Sequence, residues 1–314
     1  MNWIFIFPFF IGFLGLCFGS FSNALIYRIK NKESILKGRS HCPRCKHTLG
    51  VFDLFPIFSW IFLNGKCRYC KTSISLQYPL VELTFGILWT FTTLNLGIPE
   101  NISEWTYFLF ILYVVSSLVI ITVYDILYFE IPDEISLPVI GLTFFSFYLN
   151  TTPSLKNGLL GTLIIYSFFY LQIIVPSIIY SFKKKSLKYL KASIKGYFLF
   201  PIWIILSIFL PQNLIERITI FSNSELEDDC PSWIGGGDLR IAFIMGLLLG
   251  IKGSIIALFL AYFLGAVIGI ILILSGKRNR KSMIPFGPFL SIGIFISLFW
   301  GIKIWDWYWS LLGI

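Results

Sequence analysis

The sequence predicts an all-α polytopic membrane protein with about eight transmembrane helices and a small polar domain between the first two. Hydrophobic residues make up 56% of the 314 positions, charged residues 13%, and the mean hydropathy is +0.80. Soluble proteins carry about 25% charged residues, so this chain has too few to cover a surface in water. The composition therefore excludes a soluble enzyme, a disordered protein and a secreted disulfide scaffold.

Apolar runs give the predicted spans, because a bilayer core needs about 20 mostly apolar residues per helix. The first run follows no basic segment and precedes no small-residue cleavage site, so we expect a retained anchor and not a signal peptide. The eight predicted spans are residues 4–27, 78–98, 105–124, 135–149, 159–182, 238–251, 255–274 and 284–302.

Basic residues set the predicted orientation. They are concentrated in residues 28–77, 183–237 and 276–283, which alternate with the spans so that all three lie on one face. Cytoplasmic loops concentrate Lys and Arg, so this face is predicted to be cytoplasmic and both termini to lie outside. The formal net charge of +9 then reflects the orientation of the chain in the membrane. We expect the chain to lie in a lipid bilayer and not to bind nucleic acid.

One apolar run is too short for a span. Residues 197–210 are apolar but contain Pro201, and a lone crossing there would invert everything that follows. We expect a re-entrant or interfacial segment within a cytoplasmic insertion at residues 186–230. A crossing paired with residues 214–221 is the alternative.

Four cysteines in the polar segment form two Cys-x-x-Cys hooks, Cys42 with Cys45 and Cys67 with Cys70. Two such hooks at this separation are typical of a tetrahedral four-thiolate zinc site. The predicted cytoplasmic location would keep the thiols reduced. The sequence therefore predicts one structural zinc ion.

Other interpretations of the hooks stay open. The four cysteines could form two disulfides, remain free thiols or include one redox-active pair. His41 and His47 flank the first hook and could replace a thiolate, although four sulfurs already complete a tetrahedron.

Two acidic residues mark the predicted membrane edge. Asp125 ends the third predicted span, and Asp238 opens the sixth after the glycine run that includes Gly235 and Gly237. On the predicted topology both lie at the cytoplasmic boundary. Two close carboxylates share one proton, which supplies a base to activate water and an acid to protonate the leaving group. The pattern indicates aspartic-protease chemistry.

Each acid also has a structural interpretation. Asp125 could be a solvated helix end, and Asp238 an N-cap residue favoured by the helix dipole. Asp133, which follows a proline, suits a turn or cap. Glu82, inside the second predicted span, suits a structural hydrogen bond.

Taken in order, these motifs resemble those of the type IV prepilin peptidases, a family of bacterial inner-membrane aspartic endopeptidases. The resemblance covers most of the chain. Its motifs are Gly19–Arg28, the two cysteine pairs with Gly65 and Lys66, Tyr78–Leu83, the Asp125 segment with Ile131-Pro132-Asp133, Gly235-Gly236-Gly237-Asp238 as the family's Gly-x-Gly-Asp, and Ile284–Pro288.

The resemblance implies that Asp125 and Asp238 are catalytic, and that Asp133, Gly235 and Gly237 support the motifs. It implies cleavage of the basic leader of prepilins or pseudopilins after a Gly, at the cytoplasmic face. Members that carry the cysteine domain then typically methylate the new amino terminus with S-adenosylmethionine. The implied domains are a first helix at residues 1–27, a zinc domain linked to methylation at 28–77, and a peptidase domain at 78–314.

Two functions of other classes compete with a peptidase. A transporter that relays protons would place acids near the membrane midplane among broken helices, whereas these acids lie at the predicted edge. A non-catalytic assembly factor that docks through the zinc domain would leave the acidic pair unexplained.

Overall fold

The computed structural model describes residues 3–35, 38–148, 153–184, 188–209, 235–276 and 282–313. Within these ranges the secondary structure is helical apart from isolated bridges. The helices are α1 (Trp3–Lys30), α2 (Phe58–Phe62), α3 (Gln77–Leu96), α4 (Ile102–Tyr128), α5 (Asp133–Tyr148), α6 (Leu155–Lys184), α7 (Lys188–Phe209), α8 (Gly236–Leu274) and α9 (Gly287–Leu311).

Within the described residues, five helices are long and apolar enough to cross a membrane: α1, α4, α6, α8 and α9. A shorter apolar helical segment, Ile194–Ile208, lies in α7. These lengths and compositions confirm the prediction of an all-α, multi-pass membrane protein. The chain folds as two compact units, Met1–Tyr128 and Phe129–Ile314.

In the first unit, α1 and α3 pack in opposite directions through glycines. A Cβ at Gly12 would lie 3.2 Å from the backbone oxygen of Gly86, and a Cβ at Gly19 would lie 2.7 Å from the Cα of Glu82. Membrane helices have no hydrophobic drive to associate, so small residues that permit close backbone approach hold them together. This close packing places Glu82 firmly against α1.

In the second unit, α8 bends sharply at Gly250, whose φ of 65° suits glycine. The Ser254 hydroxyl donates to the Met245 carbonyl at 3.1 Å, although residues nine apart in a straight helix are separated by about 13.5 Å. The chain therefore turns back on itself, and α8 consists of two packed segments. The bend lies at the boundary between the predicted spans 238–251 and 255–274.

The first segment of α8 packs tightly on α6 at Gly246. A Cβ at this position would lie 2.2 Å from the Cα of Thr162. We expect Gly246→Ala to destabilise the protein by roughly 1–3 kcal/mol, because the two backbones would have to move apart. A Cβ at Gly269, on the second segment, would meet only the Ile284 side chain, at 3.8 Å. Gly269→Ala is therefore the matched control. Thermal unfolding in detergent measures both, and equal melting temperatures would contradict the packing.

Part of the predicted insertion at residues 186–230 forms α7; residues 210–230 lie outside the described residues. The helix α7 packs along α6, where the Tyr166 hydroxyl donates to the Tyr197 carbonyl at 2.9 Å. It also reaches the middle of α5, where a Cβ at Gly141 would lie 3.3 Å from Ile208. The insertion therefore contributes a helix to the bundle of the second unit.

Candidate active site and metal centre

Asp125 lies in the last turn of α4 and only 6% of it is exposed. The apolar run behind this predicted span covers residues 105–124, and α4 extends one turn further, to Tyr128. The rings of Tyr124 and Tyr128 pack 4.8 Å apart, and the Lys30 ammonium lies 4.7 Å from the Tyr128 ring centre. The helix end is thus covered by packing, which argues against Asp125 as a merely solvated terminus.

Asp238 lies in the first turn of α8 and is 8% exposed. The alternative interpretation of Asp238 as the N-cap residue does not hold, because the extended residue before the helix is Gly235 (φ −72°, ψ 148°). The Asp238 backbone N–H donates to the Gly235 carbonyl at 3.1 Å. Its carboxylate is therefore near the positive end of the helix dipole.

The glycine motif lies against the Ile131-Pro132-Asp133 segment. A Cβ at Gly237 would lie 3.1 Å from the Ile131 side chain, whereas a Cβ at Gly236 would meet nothing within 4 Å. Only the third glycine of the run is therefore required by close packing. The contact joins two motifs that are about a hundred residues apart in the sequence.

Asp133 opens α5 and forms an ion pair that was not predicted. Its Oδ1 lies 2.6 Å from the Nε of Arg240, and the Arg240 guanidinium lies 5.2 Å from the Trp203 ring centre. Asp133 is at the first position of α5, after Pro132, as its interpretation as a turn residue implied. The ion pair adds a second role, since it ties the start of α5 to the first turns of α8.

Loss of the Arg240 guanidinium should destabilise the second unit. We expect Arg240→Met to lower the melting temperature by about 2–4 °C, because Asp133 would lose its counter-charge. Arg240→Lys keeps the charge and should lose less. In the double variant with Asp133→Asn the two losses should not add. Strict additivity in thermal unfolding would show that the pair contributes nothing.

The four cysteines of the two hooks converge. Their sulfur atoms all lie within 4.8 Å of one another, and the Cys42 and Cys70 sulfurs are 3.9 Å apart. All four are free thiols, so the disulfide interpretation finds no support in the structure. The cluster has the donor set and spacing to hold one metal ion.

The two hooks share one backbone design. The N–H of Cys42 donates to the His47 carbonyl at 3.0 Å, and the N–H of Cys67 donates to the Thr72 carbonyl at 2.8 Å. The residue after each second cysteine, Lys46 or Lys71, has a positive φ of 57° or 59°. Each hook is therefore a tight turn, and the sulfurs of the two hooks lie close together.

Contacts around the hooks favour a thiolate at Cys70, and the two flanking histidines contact aromatic rings. The hydroxyl and the backbone N–H of Thr72 lower the pKa of the Cys70 thiol to about 6. The His47 ring stacks on Tyr69 at 3.6 Å, and the His41 ring packs edge-on against Tyr27 at 6.0 Å. Neither histidine belongs to the cysteine cluster, so metal binding falls to the four sulfurs.

Glu82 makes the structural hydrogen bond expected of it. Its Oε2 accepts the Ile57 backbone N–H at 2.6 Å. Ile57 has a φ of 61°, which is costly for a β-branched residue, so this bond helps to hold a strained backbone. The neighbouring Phe55 ring lies 6.4 Å from Phe13 of α1. The apolar segment that contains α2 is thus anchored on both α1 and α3, a contact the sequence did not indicate.

Together these features define a multi-pass membrane protein with carboxylates buried at two helix ends and a separate four-cysteine centre. A family model described as the bacterial peptidase A24 N-terminal domain matches residues 13–96. A second, described as the type IV leader peptidase family, matches residues 110–270, just over half of the chain.

Curated relatives agree with the family models. Proteins named prepilin leader peptidase/N-methyltransferase from Aeromonas salmonicida and Bacillus subtilis are each 26% identical to this chain; the matches cover 90% and 94% of the chain and 78% and 94% of those proteins. One from Myxococcus xanthus is 39% identical over 134 residues, 42% of this chain and 38% of that protein. No solved structure matches the chain. The chain belongs to the type IV prepilin leader peptidase/N-methyltransferase family, whose members are aspartic peptidases.

Proposed function

We propose that the protein cleaves the basic leader of type IV prepilins or pseudopilins after a Gly, at the cytoplasmic face, and then N-methylates the new terminus. The main support for peptidase activity is the pair of buried carboxylates, Asp125 and Asp238. Each lies in the terminal turn of an apolar helix. Both lie in the segment matched by the leader peptidase family.

In the proposed hydrolysis Asp125 and Asp238 share one proton. The ionised carboxylate takes a proton from water, which attacks the scissile carbonyl, and the protonated one donates to the leaving nitrogen. Burial makes a shared proton favourable, because two negative charges in a poorly solvated site repel strongly. Gly237 leaves room for Ile131 beside the first turn of α8, and the Asp133–Arg240 pair ties this part of α8 to the start of α5.

The topology proposed for this reaction has eight crossings: α1, α3, α4, α5, α6, the two segments of α8, and α9. Its basic segments then lie on the cytoplasmic side. A prepilin is a membrane helix with a charged leader, so its scissile bond also lies at that boundary. The substrate would reach the carboxylates by moving in the plane of the membrane.

Residues 28–77 are proposed as a domain that Cys42, Cys45, Cys67 and Cys70 close around one structural zinc ion. Four thiolates leave no open position on zinc, so the metal would hold the domain together and not act on substrate. When bound, S-adenosylmethionine would supply the methyl group for the new terminal amine, which would lose one proton as its nitrogen–carbon bond forms and the donor's carbon–sulfur bond breaks.

A substrate-side experiment tests the proposal. Full-length protein in liposomes is mixed with a membrane peptide that carries a basic leader, a Gly and a Phe-initiated apolar helix. We expect release of a leader that ends in the Gly. Replacing the Gly by Leu should stop release, and moving the Gly one turn into the leader should do the same. Equal cleavage of all three peptides would contradict a leader peptidase.

A further inference from the structure

The first unit contains a cavity that the peptidase chemistry does not use. It has a volume of about 250 Å³ and lies between α1, α3, the cysteine hooks and the segment that contains α2. This approaches the lower limit of small-molecule pockets, roughly 300 Å³. We call it the α1–α3 cavity.

Two buried polar groups on its wall lack full partners. Glu82 is 7% exposed, and within the described part of the chain its contacts are the Ile57 N–H and the Ser20 side chain, neither of them a cation. Asn23 is 3% exposed; its Nδ2 donates to the Tyr78 carbonyl at 3.1 Å, but its Oδ1 has no hydrogen-bond partner in the described structure.

Such groups are costly to bury. A buried carboxylate normally has a cation beside it, and an unpaired amide oxygen loses its hydration without compensation. The other acid on the wall, Asp53, shows the usual solution, since Arg68 lies 2.6 Å from its Oδ1. The wall also carries Arg28 and Arg44. The α1–α3 cavity therefore suits a ligand that brings a positive charge and a hydrogen-bond donor to Glu82 and Asn23, and a negative charge to the arginines.

The rest of the wall is suited to a flat ring. Tyr27, Trp60 and Tyr78 all line the cavity and are partly buried. Aromatic faces stack on heteroaromatic rings and attract cations. The Trp60 indole N–H is already used, since it donates to the Ile74 carbonyl at 3.1 Å, so Trp60 contributes a fixed apolar surface.

We propose that the α1–α3 cavity binds S-adenosylmethionine, with Glu82 as the counter-charge for its cationic methionyl end. The aromatic wall would hold the adenine, and the Asn23 Oδ1 would accept a hydrogen bond from the ligand. The inference rests on the proposed N-methylation and gives its donor a place. It also assigns the cysteine hooks a purpose, because Cys42 and Cys67 line the same cavity and a metal there would fix its wall.

The test is direct ultraviolet cross-linking of methyl-labelled S-adenosylmethionine to purified, zinc-loaded, full-length protein, followed by peptide mapping. We expect the label in the peptides that contain Tyr27 or Tyr78. Equilibrium binding gives a second readout. Glu82→Gln preserves the shape and the acceptor for Ile57 but removes the charge, so we expect its dissociation constant to rise about tenfold, as for the loss of one charge-assisted hydrogen bond.

Thr84→Ala is the matched control, because Thr84 is an exposed residue of the same helix whose hydroxyl donates to the Leu80 carbonyl; its binding should stay at the wild-type value. Zinc content and melting temperature show whether each variant is folded. Label confined to the second unit, or unchanged binding by folded Glu82→Gln, would overturn the inference and leave methylation standing. A wild-type protein that neither binds the donor nor methylates would refute both.

Discussion

Asp125→Asn and Asp238→Asn should each reduce leader cleavage by roughly three orders of magnitude or more. Each substitution keeps the shape of the side chain but removes the carboxylate that takes or gives the proton. If the two residues act as one unit, the double variant should be little worse than either single variant, because such effects are not additive. The measurement is leader release from a prepilin-like substrate in liposomes.

Two controls make the dyad prediction specific. Asp306→Asn removes an exposed acid from α9 and should cleave at the wild-type rate. Asp133→Asn breaks the ion pair with Arg240 and should retain more activity than either dyad variant. The wild-type pH–rate profile should show two ionisations that belong to the pair. Near-normal cleavage by folded Asp238→Asn would refute the assignment.

Loss of one cysteine ligand should have the second large effect. We expect purified protein to contain about one zinc per chain, and Cys42→Ser or Cys67→Ser to lose the metal, since both sulfurs belong to the four-cysteine cluster. N-methylation should fall more than cleavage, because Asp125 and Asp238 do not belong to this cluster. Metal analysis and product mass spectrometry measure the two effects.

Cys17→Ser is the matched control for the zinc prediction. Cys17 is an exposed free thiol on α1, outside the cluster, so its replacement should leave the zinc content unchanged. A wild-type protein purified under reducing conditions without zinc would contradict the metal assignment. Equal loss of cleavage and methylation in Cys42→Ser would contradict the separation of the two activities.

Long, apolar elements and local metal motifs could be predicted from the sequence because their signals are local. The run at residues 105–124 became α4, and the paired hooks at Cys42 and Cys67 became one cluster. The break in apolar character around Lys252 separated two predicted spans, and the α8 bend lies beside it at Gly250. In each case the residues that decide the structure are neighbours in the chain.

Features that depend on distant partners were missed. The ion pair between Asp133 and Arg240 joins residues more than a hundred positions apart, and no local pattern indicates it. Likewise, nothing near Phe55 predicts that its segment packs on Phe13 of α1.

The mass of a processed substrate tests the central claim most directly. Full-length protein in liposomes is incubated with a prepilin-like substrate and S-adenosylmethionine. The intact mass of the product is then measured by mass spectrometry. We predict a mature chain that has lost everything up to and including the Gly and has gained one methyl group on its new amino terminus. The same product from the protein with both Asp125→Asn and Asp238→Asn, or an intact leader with the wild-type protein, would contradict the account.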